Sequence, residues 1–357
     1  MRISIEHIAL TKQHPLTISR GTSAGSNNLL VTVEHDGVLG IGEMAPISGG
    51  AIAETADSAA AAIIGWRTCI ESLTPWDWQE IELRIAAGDL ARQYTAARAA
   101  LDMAIWDWRG KALGQPVWRL LGLNLGRIPV TSVTVGINPP EIVRERVVEI
   151  LQRTGARSLK VKLGSPAGEE QDRLMFAAAQ EAANSLGSAL EVQPLWRVDA
   201  NGGWSVDTAI RMTAWLAERG VSYVEQPLLR GREADLPKLH AESALPIYAD
   251  ESIYLSQDIP AIADSIDGVN LKLMKCGGIT EALRIVHTAR AHGLKVMYGC
   301  MSETSLAISA AAQISSLADE VDLDSHLNLN PDPFTGALLF EGRVVPTDMP
   351  GLGTSRL

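Results

Sequence analysis

The stretch "GRIPVTSVTVGI", Gly126–Ile137, is where the chain changes character. Before it, the pattern is strands followed by helices. After it, short runs rich in β-branched and aromatic residues recur, with helical stretches between them. The runs are Thr131–Ile137, Ser158–Leu163, Trp196–Asn201, Tyr223–Gln226, Ile247–Glu251, Gly268–Leu273, Lys295–Cys300 and Glu320–Ser325. The intervening stretches carry ordinary helix ends: "WSVDTAIRMTAWLAERG" stops at Gly220 and "ITEALRIVHTARAHG" at Gly293. A strand–helix unit repeated about eight times in ~200 residues predicts a closed (β/α)8-type barrel. An open doubly wound sheet is the rival, and it wants a Gly-rich phosphate turn after its first strand.

Upstream, "LLVTVEHDGVLGIGE" is two strand-like runs joined by Asp36-Gly37, a strong hairpin signal. From about residue 50 the pattern turns helical and Ala-rich, and it stops at Gly114 and Pro116. An α+β domain over 1–124, a barrel over 125–326 and a tail over 327–357 packing back on the first domain are expected. "GIGEMA" fits G-x-G-x-x-A, but it follows a hairpin, precedes Pro46 and has no βαβ unit around it. It is not read as a nucleotide turn.

The composition is that of a globular chain of 357 residues, 46% hydrophobic and 20% charged. The longest uninterrupted apolar-and-Gly run, Ala59–Trp66, is far too short to span a bilayer. "MRISIEHIALTK" lacks an apolar signal core, so a cytoplasmic protein is expected. Cys69, Cys276 and Cys300 are few, odd in number and without CxxC spacing, which argues against a disulfide framework or thiolate zinc site. A net charge of −11 with no basic cluster argues against nucleic-acid affinity. No nucleic-acid or membrane partner is expected, and the sequence leaves a homo-oligomer open.

In such a barrel the chemistry collects at the C-terminal strand ends. Six of the eight runs end in charge: Lys160 and Lys162; Asp199, beside Asn201; Glu225; Asp250 and Glu251; Lys272; Asp322 and Asp324. A lone acid at a strand end is most often a cap or loop residue. Asp199, Glu225 and Asp250, however, come from three successive strands. Carboxylates about 4 Å apart repel by roughly 4 kcal/mol per pair at an effective dielectric near 20. They must protonate or share a cation. All-oxygen ligation suits Mg²⁺, and with no His or Cys in the set zinc is unfavoured.

Lys162 and Lys272 lie four strands apart in an eight-strand circle, so they face each other across the barrel mouth. A neighbouring ammonium and a divalent ion would lower a lysine toward neutrality, letting one act as base and the other as acid. Two such groups on opposite faces of a metal-bound substrate can move a proton at a carbon α to a carboxylate. The resulting enediolate needs electrostatic stabilisation. Lys160 reads either as a salt-bridge partner of these acids or as a positioning neighbour. Lys275 reads as structural, Ser302 and Glu303 as carboxylate contacts or, by preference, helix caps, Cys300 as packing and His326 as a loop residue. Asp322 and Asp324, at i and i+2, share a strand face and call for a cation of their own.

These residues resemble the enolase superfamily, in its muconate-lactonizing subgroup, over essentially the whole chain. "AALDMAIWDWRGKALGQPVWRLLG" is similar to that family's link from capping domain to barrel, and "KVK", "DAN", "EQP", "DES" and "KLMKCGG" follow its barrel motifs in order. The resemblance implies acid/base roles for Lys162 and Lys272, Mg²⁺ on Asp199, Glu225 and Asp250, and Lys160 beside Lys162. The mandelate-racemase branch would carry a His on the seventh strand paired with an Asp on the sixth, and neither is present. "DLDS" resembles the dipeptide epimerases, where both aspartates bind the substrate's α-ammonium; an L-Ala-D/L-Glu or related dipeptide is then implied. The family's capping loops set side-chain specificity, which points to Gly21–Asn28, Gly/Ser-rich and mobile-looking, and to Ala45–Gly50. Acidic-dipeptide epimerases place an arginine in the first loop, and Arg20 lies one residue before that position. Substrate contacts are therefore expected from Asp322, Asp324, Lys160 and Arg20. N-acylamino-acid racemisation, o-succinylbenzoate synthesis, muconate cycloisomerisation and a catalytically silent ligand-binding homologue remain as alternatives.

Overall fold

The computed structural model describes residues 1–48, 53–89, 92–187, 190 and 192–357. Strands β1 (Arg2–Ile18), β2 (Gly21–His35) and β3 (Val38–Met44) form an antiparallel N-terminal sheet. Asp36 and Gly37 turn β2 into β3 with φ of 47° and 75°, the left-handed conformation such a hairpin demands. The segment 21–28 is not the mobile loop its Gly/Ser content suggests. It is the first half of β2, laddered to β1 from Gly21 opposite Ile18 to Asn28 opposite Ile8. A Cβ at Gly25 would run into the Leu10 carbonyl oxygen, so the glycine serves close strand approach rather than flexibility. The second expected specificity segment, Ala45–Gly50, runs beyond the described residues at 49 and 50.

Helices α1 (Ala56–Ile70), α2 (Trp78–Gly88) and α3 (Thr95–Leu113) accompany this sheet, and α3 packs on β3. Gly40 and Gly42 make that seam possible, because a Cβ at either would strike the Ala104 or Ala100 carbonyl. "GIGEMA" is thus a packing surface. Two buried aspartates tie α3 outward. Asp107 accepts from the Ile41 amide at 2.9 Å and the Leu352 amide at 2.8 Å. Asp102 accepts from the Thr280 amide at 3.1 Å and the Thr280 hydroxyl at 2.5 Å.

After the short helix α4 (Val117–Leu120), eight parallel strands form one sheet in sequence order: β4 (Val133–Val135), β5 (Ser158–Lys162), β6 (Leu195–Asp199), β7 (Val221–Glu225), β8 (Ile247–Ala249), β9 (Gly268–Leu271), β10 (Lys295–Gly299) and β11 (Glu320–Asp322). Helices α5 (Pro140–Thr154), α6 (Glu169–Ser185), α7 (Val206–Ala217), α8 (Leu236–Glu242), α9 (Leu273–Cys276) with α10 (Ile279–Ala291), and α11 (Ser305–Ala312) occupy the crossovers. Only 3-10 turns join β8 to β9, and a 3-10 turn (Ser325–Asn328) follows β11. The seam between β11 and β4 is thin. One bridge, Thr131 with Val321, is supported by the Ser132 amide on the Val321 carbonyl at 2.9 Å. The first and last strands are accordingly shorter than the sequence runs that announce them.

The tail returns to the first domain: the Asn330 amide donates to the Thr11 carbonyl at 2.9 Å and Arg356 pairs with Glu6 at 2.6 Å. Among the described residues no helix is long and apolar enough to cross a membrane.

Candidate active site

Register builds the site. Lys162 lies opposite Asp199, and Asp199 opposite Glu225, so three adjacent strands put one charged residue each on the same level. Asp250 stands just past the end of β8, next to them. Asp199, Glu225 and Asp250 are buried, and one oxygen from each lies within 4.8 Å of the others. Asp199 accepts from Lys162 Nζ at 2.6 Å and from the Asn201 amide and side chain at 2.7 and 3.0 Å. Glu225 accepts from Lys160 at 3.0 Å and from Asn270 Nδ2 at 2.6 Å. Asp250 accepts from Lys272 at 2.7 Å and also from Lys275.

Burial and the neighbouring charges pull the carboxylates of the cluster in different directions. Burial pushes Glu225 up to about 8; Asp199 and Asp250 push the same way, while Lys160 opposes. Burial also works against an ionised Asp250, but Lys272 and Lys275 outweigh it and hold that carboxyl well below its usual range. A buried, all-carboxylate donor set with one member this hard to ionise fits a hard divalent cation. For Lys272, burial favours the neutral amine, yet Asp250, Glu225 and Glu251 prevail and raise it above an ordinary lysine.

Lys162 and Lys272, each 7% exposed, line a cavity of about 1010 Å³ from strands on opposite sides of the barrel. That volume suits a small organic ligand. Gly299 on β10 makes room for Lys272, since a Cβ there would sit 3.0 Å from Lys272 Cε. Lys160 lies deeper, buried between Glu225 and Asp322, and is not part of the cavity wall. Lys275 is saturated: besides Asp250 Oδ1 it donates to the carbonyls of Asp250 (2.5 Å), Ile253 (3.0 Å) and Asn270 (3.0 Å).

Asp322 and Asp324 both reach the cavity, at the barrel seam. Asp322 accepts from the Ser132 hydroxyl at 2.6 Å and pairs with Lys160. Asp324 accepts from the Thr134 amide at 2.6 Å, with the Cys300 thiol 3.9 Å from its other oxygen. Burial and the neighbouring Asp322 push Asp324 up to about 6. Arg20, expected near the substrate side chain, lines the cavity but turns its guanidinium to Glu251 Oε1 at 2.7 Å and the Asn201 carbonyl at 2.8 Å.

Several site residues escaped sequence reasoning. Asn270 had a usable signal, since it precedes Lys272 by two on the same strand face. Ser132 and Thr134 had none, because their partners lie across the barrel seam. Lys12, in the cavity wall and donating to Ser23 at 3.2 Å, reads from sequence as one more charge on an alternating strand.

The Mandelate racemase / muconate lactonizing enzyme N-terminal domain model matches residues 2–122, and the Enolase C-terminal domain-like model matches 143–355. The chain belongs to this family. It is 53% identical to the hydrophobic dipeptide epimerase of Roseobacter litoralis, over 99% of this chain and 98% of that one. It is 34% identical to the L-Ala-D/L-Glu epimerase of Bacteroides thetaiotaomicron, over 100% and 88% of the two chains. Among solved structures, the dipeptide epimerase of Enterococcus faecalis in complex with Mg and L-Leu-L-Tyr superposes with a TM-score of 0.88 at 29% identity, over 99% of each chain. As a member of the mandelate racemase / muconate lactonizing enzyme family, the chain carries the family's capping domain and barrel in one piece.

Proposed function

We propose that this chain is a Mg²⁺-dependent dipeptide epimerase that inverts the α-carbon of the C-terminal residue, with hydrophobic dipeptides as substrates. One observation carries the reading. Two lysines reach a single cavity from opposite sides of the barrel, and a pair of aspartates lines that same cavity at the seam.

Asp199, Glu225 and Asp250 would hold the ion, which supplies positive charge against the oxyanion that develops at the substrate carboxylate. Lys162 and Lys272 do the proton work. One, as the amine, takes the α-proton, and the other, as the ammonium, returns a proton to the opposite face. The substrate leaves inverted, and the lysines exchange protonation states. Asp322 and Asp324 bind the dipeptide's α-ammonium, whose three donors need anionic acceptors. N-acyl amino acids lack that ammonium and would leave Asp324 without a cationic partner.

The hydrophobic assignment draws on the 53% relative and on the apolar part of the cavity wall, to which Leu16, Ile18, Ile47 and Met301 contribute. Incubating dipeptide pools with enzyme and Mg²⁺ in D₂O tests both points. Each turnover should place one deuterium on the C-terminal α-carbon of hydrophobic dipeptides. Chelation should abolish the label and Mg²⁺ should restore it. Label confined to N-acyl amino acids would refute the proposal.

A further inference from the structure

We infer that Arg20 is a latch: with Ser19 it fastens the tip of the first hairpin onto the barrel loops that follow two of the three clustered carboxylates, Asp199 and Asp250. Ile18 pairs with Gly21, so Ser19 and Arg20 form the whole turn between β1 and β2. Both reach one atom of the barrel. The Ser19 hydroxyl donates to the Asn201 carbonyl at 2.9 Å, and Arg20 Nη1 donates to the same oxygen at 2.8 Å. Arg20 Nη2 then pairs with Glu251 Oε1 at 2.7 Å.

The receiving residues are not arbitrary. Asn201 has a left-handed φ of 44°, which turns its amide and side chain down onto both oxygens of Asp199 while its carbonyl accepts the hairpin. Glu251 is the chain neighbour of Asp250. One side-chain fork thus links the hairpin tip to the loops behind Asp199 and Asp250.

The arm behind the turn is held differently. His14 and Asn328 exchange backbone–side-chain bonds at 3.0 and 2.8 Å, and the Ile137 amide donates to the Thr17 carbonyl at 2.8 Å. Leu16 and Ile18 flank Thr17, Thr22 lies opposite it, and all three roof the cavity. The arm has a backbone bond to the barrel, while the turn itself reaches the barrel through two side chains. Closure of this roof keeps water from the reacting carbon and holds the carboxylate geometry, a role unlike reading an acidic substrate side chain. The inference rests on this cavity being the reaction site, but its first readout requires no turnover.

The test is a cycle of Arg20→Met, Glu251→Gln and the double variant, with Arg20→Lys as the conservative change. Hydrogen exchange on the intact protein should rise several-fold at Leu16–Ser26 in each single variant, with Ile3–Leu10 unchanged, and Arg20→Lys should recover part of the protection. Each single variant should lower kcat about tenfold or more with KM little moved. The double variant should cost no more than the worse single, because the partners act as one unit. Unchanged exchange at the tip would overturn the latch. So would an Arg20→Met effect confined to the KM of acidic dipeptides, or additive losses in the cycle. Absence of deuterium incorporation into any dipeptide would count against the epimerase reading and leave the exchange result standing.

Discussion

Asp322 and Asp324 stand two residues apart at one strand end but are held by different means. Asp322 is tied down by Lys160 and Ser132, whereas Asp324 is fixed by a backbone amide, that of Thr134, and among the described residues pairs with no lysine or arginine. The two carboxylates that both face the cavity are therefore unequal. Asp324 is the one with free charge to offer an ammonium. Asp322 also balances Lys160 and, through it, Glu225.

The two should respond differently to loss of charge. Asp324→Asn removes a charged acceptor worth about 1.5–3 kcal/mol, so KM for a dipeptide should rise roughly 10- to 100-fold with thermal stability near wild type. Asp322→Asn breaks a buried pair and leaves Lys160 leaning on Glu225 alone. It should cost about 3 kcal/mol of stability, visible as a lowered midpoint in urea or heat. Equal destabilisation by both variants would contradict this division of labour.

The same asymmetry sets a pH dependence. Asp324 must be ionised to accept the substrate's ammonium, and burial with Asp322 beside it places its pKa at about 6 in the free enzyme. Below that value the acid form predominates, so kcat/KM should fall tenfold per unit as pH drops and flatten above it. Bound ammonium favours the carboxylate, so the acid limb of kcat should lie at lower pH than that of kcat/KM. A limb near 6 that survives unchanged in Asp324→Asn would assign the titration elsewhere.

Much of this site is legible in the sequence because strand geometry is local. Lys160 with Lys162, and Asn270 with Lys272, are i and i+2 pairs whose common face needs no knowledge of the rest of the chain. Asp199, Glu225 and Asp250 follow once successive parallel strands are recognised, since such strands sit side by side. What stays hidden depends on contacts distant in sequence. Thr134 meets Asp324 only where the barrel closes, and Arg20 meets Glu251 only when the hairpin folds over the rim. The segment 21–28 misleads for a related reason: its glycines serve close backbone approach to β1, which composition alone cannot distinguish from a flexible loop.

Replacing either cavity lysine should separate inversion from exchange. Inversion needs both groups, and the overall equilibrium is unchanged by mutation, so Lys162→Ala and Lys272→Ala should each slow epimerisation in both directions by about 10²–10⁴. Each variant keeps the lysine on one face. It should therefore still exchange the α-proton of one epimer with D₂O without inverting it, and the two variants should choose opposite epimers. NMR of each pure epimer in D₂O reads this out. The same epimer labelled by both variants would defeat the two-base arrangement.

Lys275 should matter for folding. Its ammonium is buried among one carboxylate and three carbonyl oxygens. Lys275→Met would take one donor from each of those acceptors and leave Asp250 with one lysine fewer. Breaking such a buried pair costs about 3–5 kcal/mol, to be read from denaturant unfolding. A change within about 0.5 kcal/mol, the range of an ordinary surface substitution, would show that Lys275 is dispensable to the fold.

Gly299 offers the most selective disturbance of the site. Its φ is unremarkable for any residue, so alanine brings no backbone strain, only volume. The new methyl would sit 2.8 Å from Asn270 Oδ1 and 3.0 Å from Lys272 Cε, both buried and both engaged with the carboxylate cluster. One of them must move. Overpacking of this kind costs about 1–3 kcal/mol, which a domain of this size tolerates. A shift of about an ångström in a reacting group costs on the order of 100-fold in rate. Gly299→Ala should therefore stay folded and lose kcat by roughly 10- to 100-fold. The loss should be larger for the epimer whose proton Lys272 handles in the exchange experiment. Wild-type turnover of both epimers would mean that Lys272 is not held where catalysis needs it by the space Gly299 leaves.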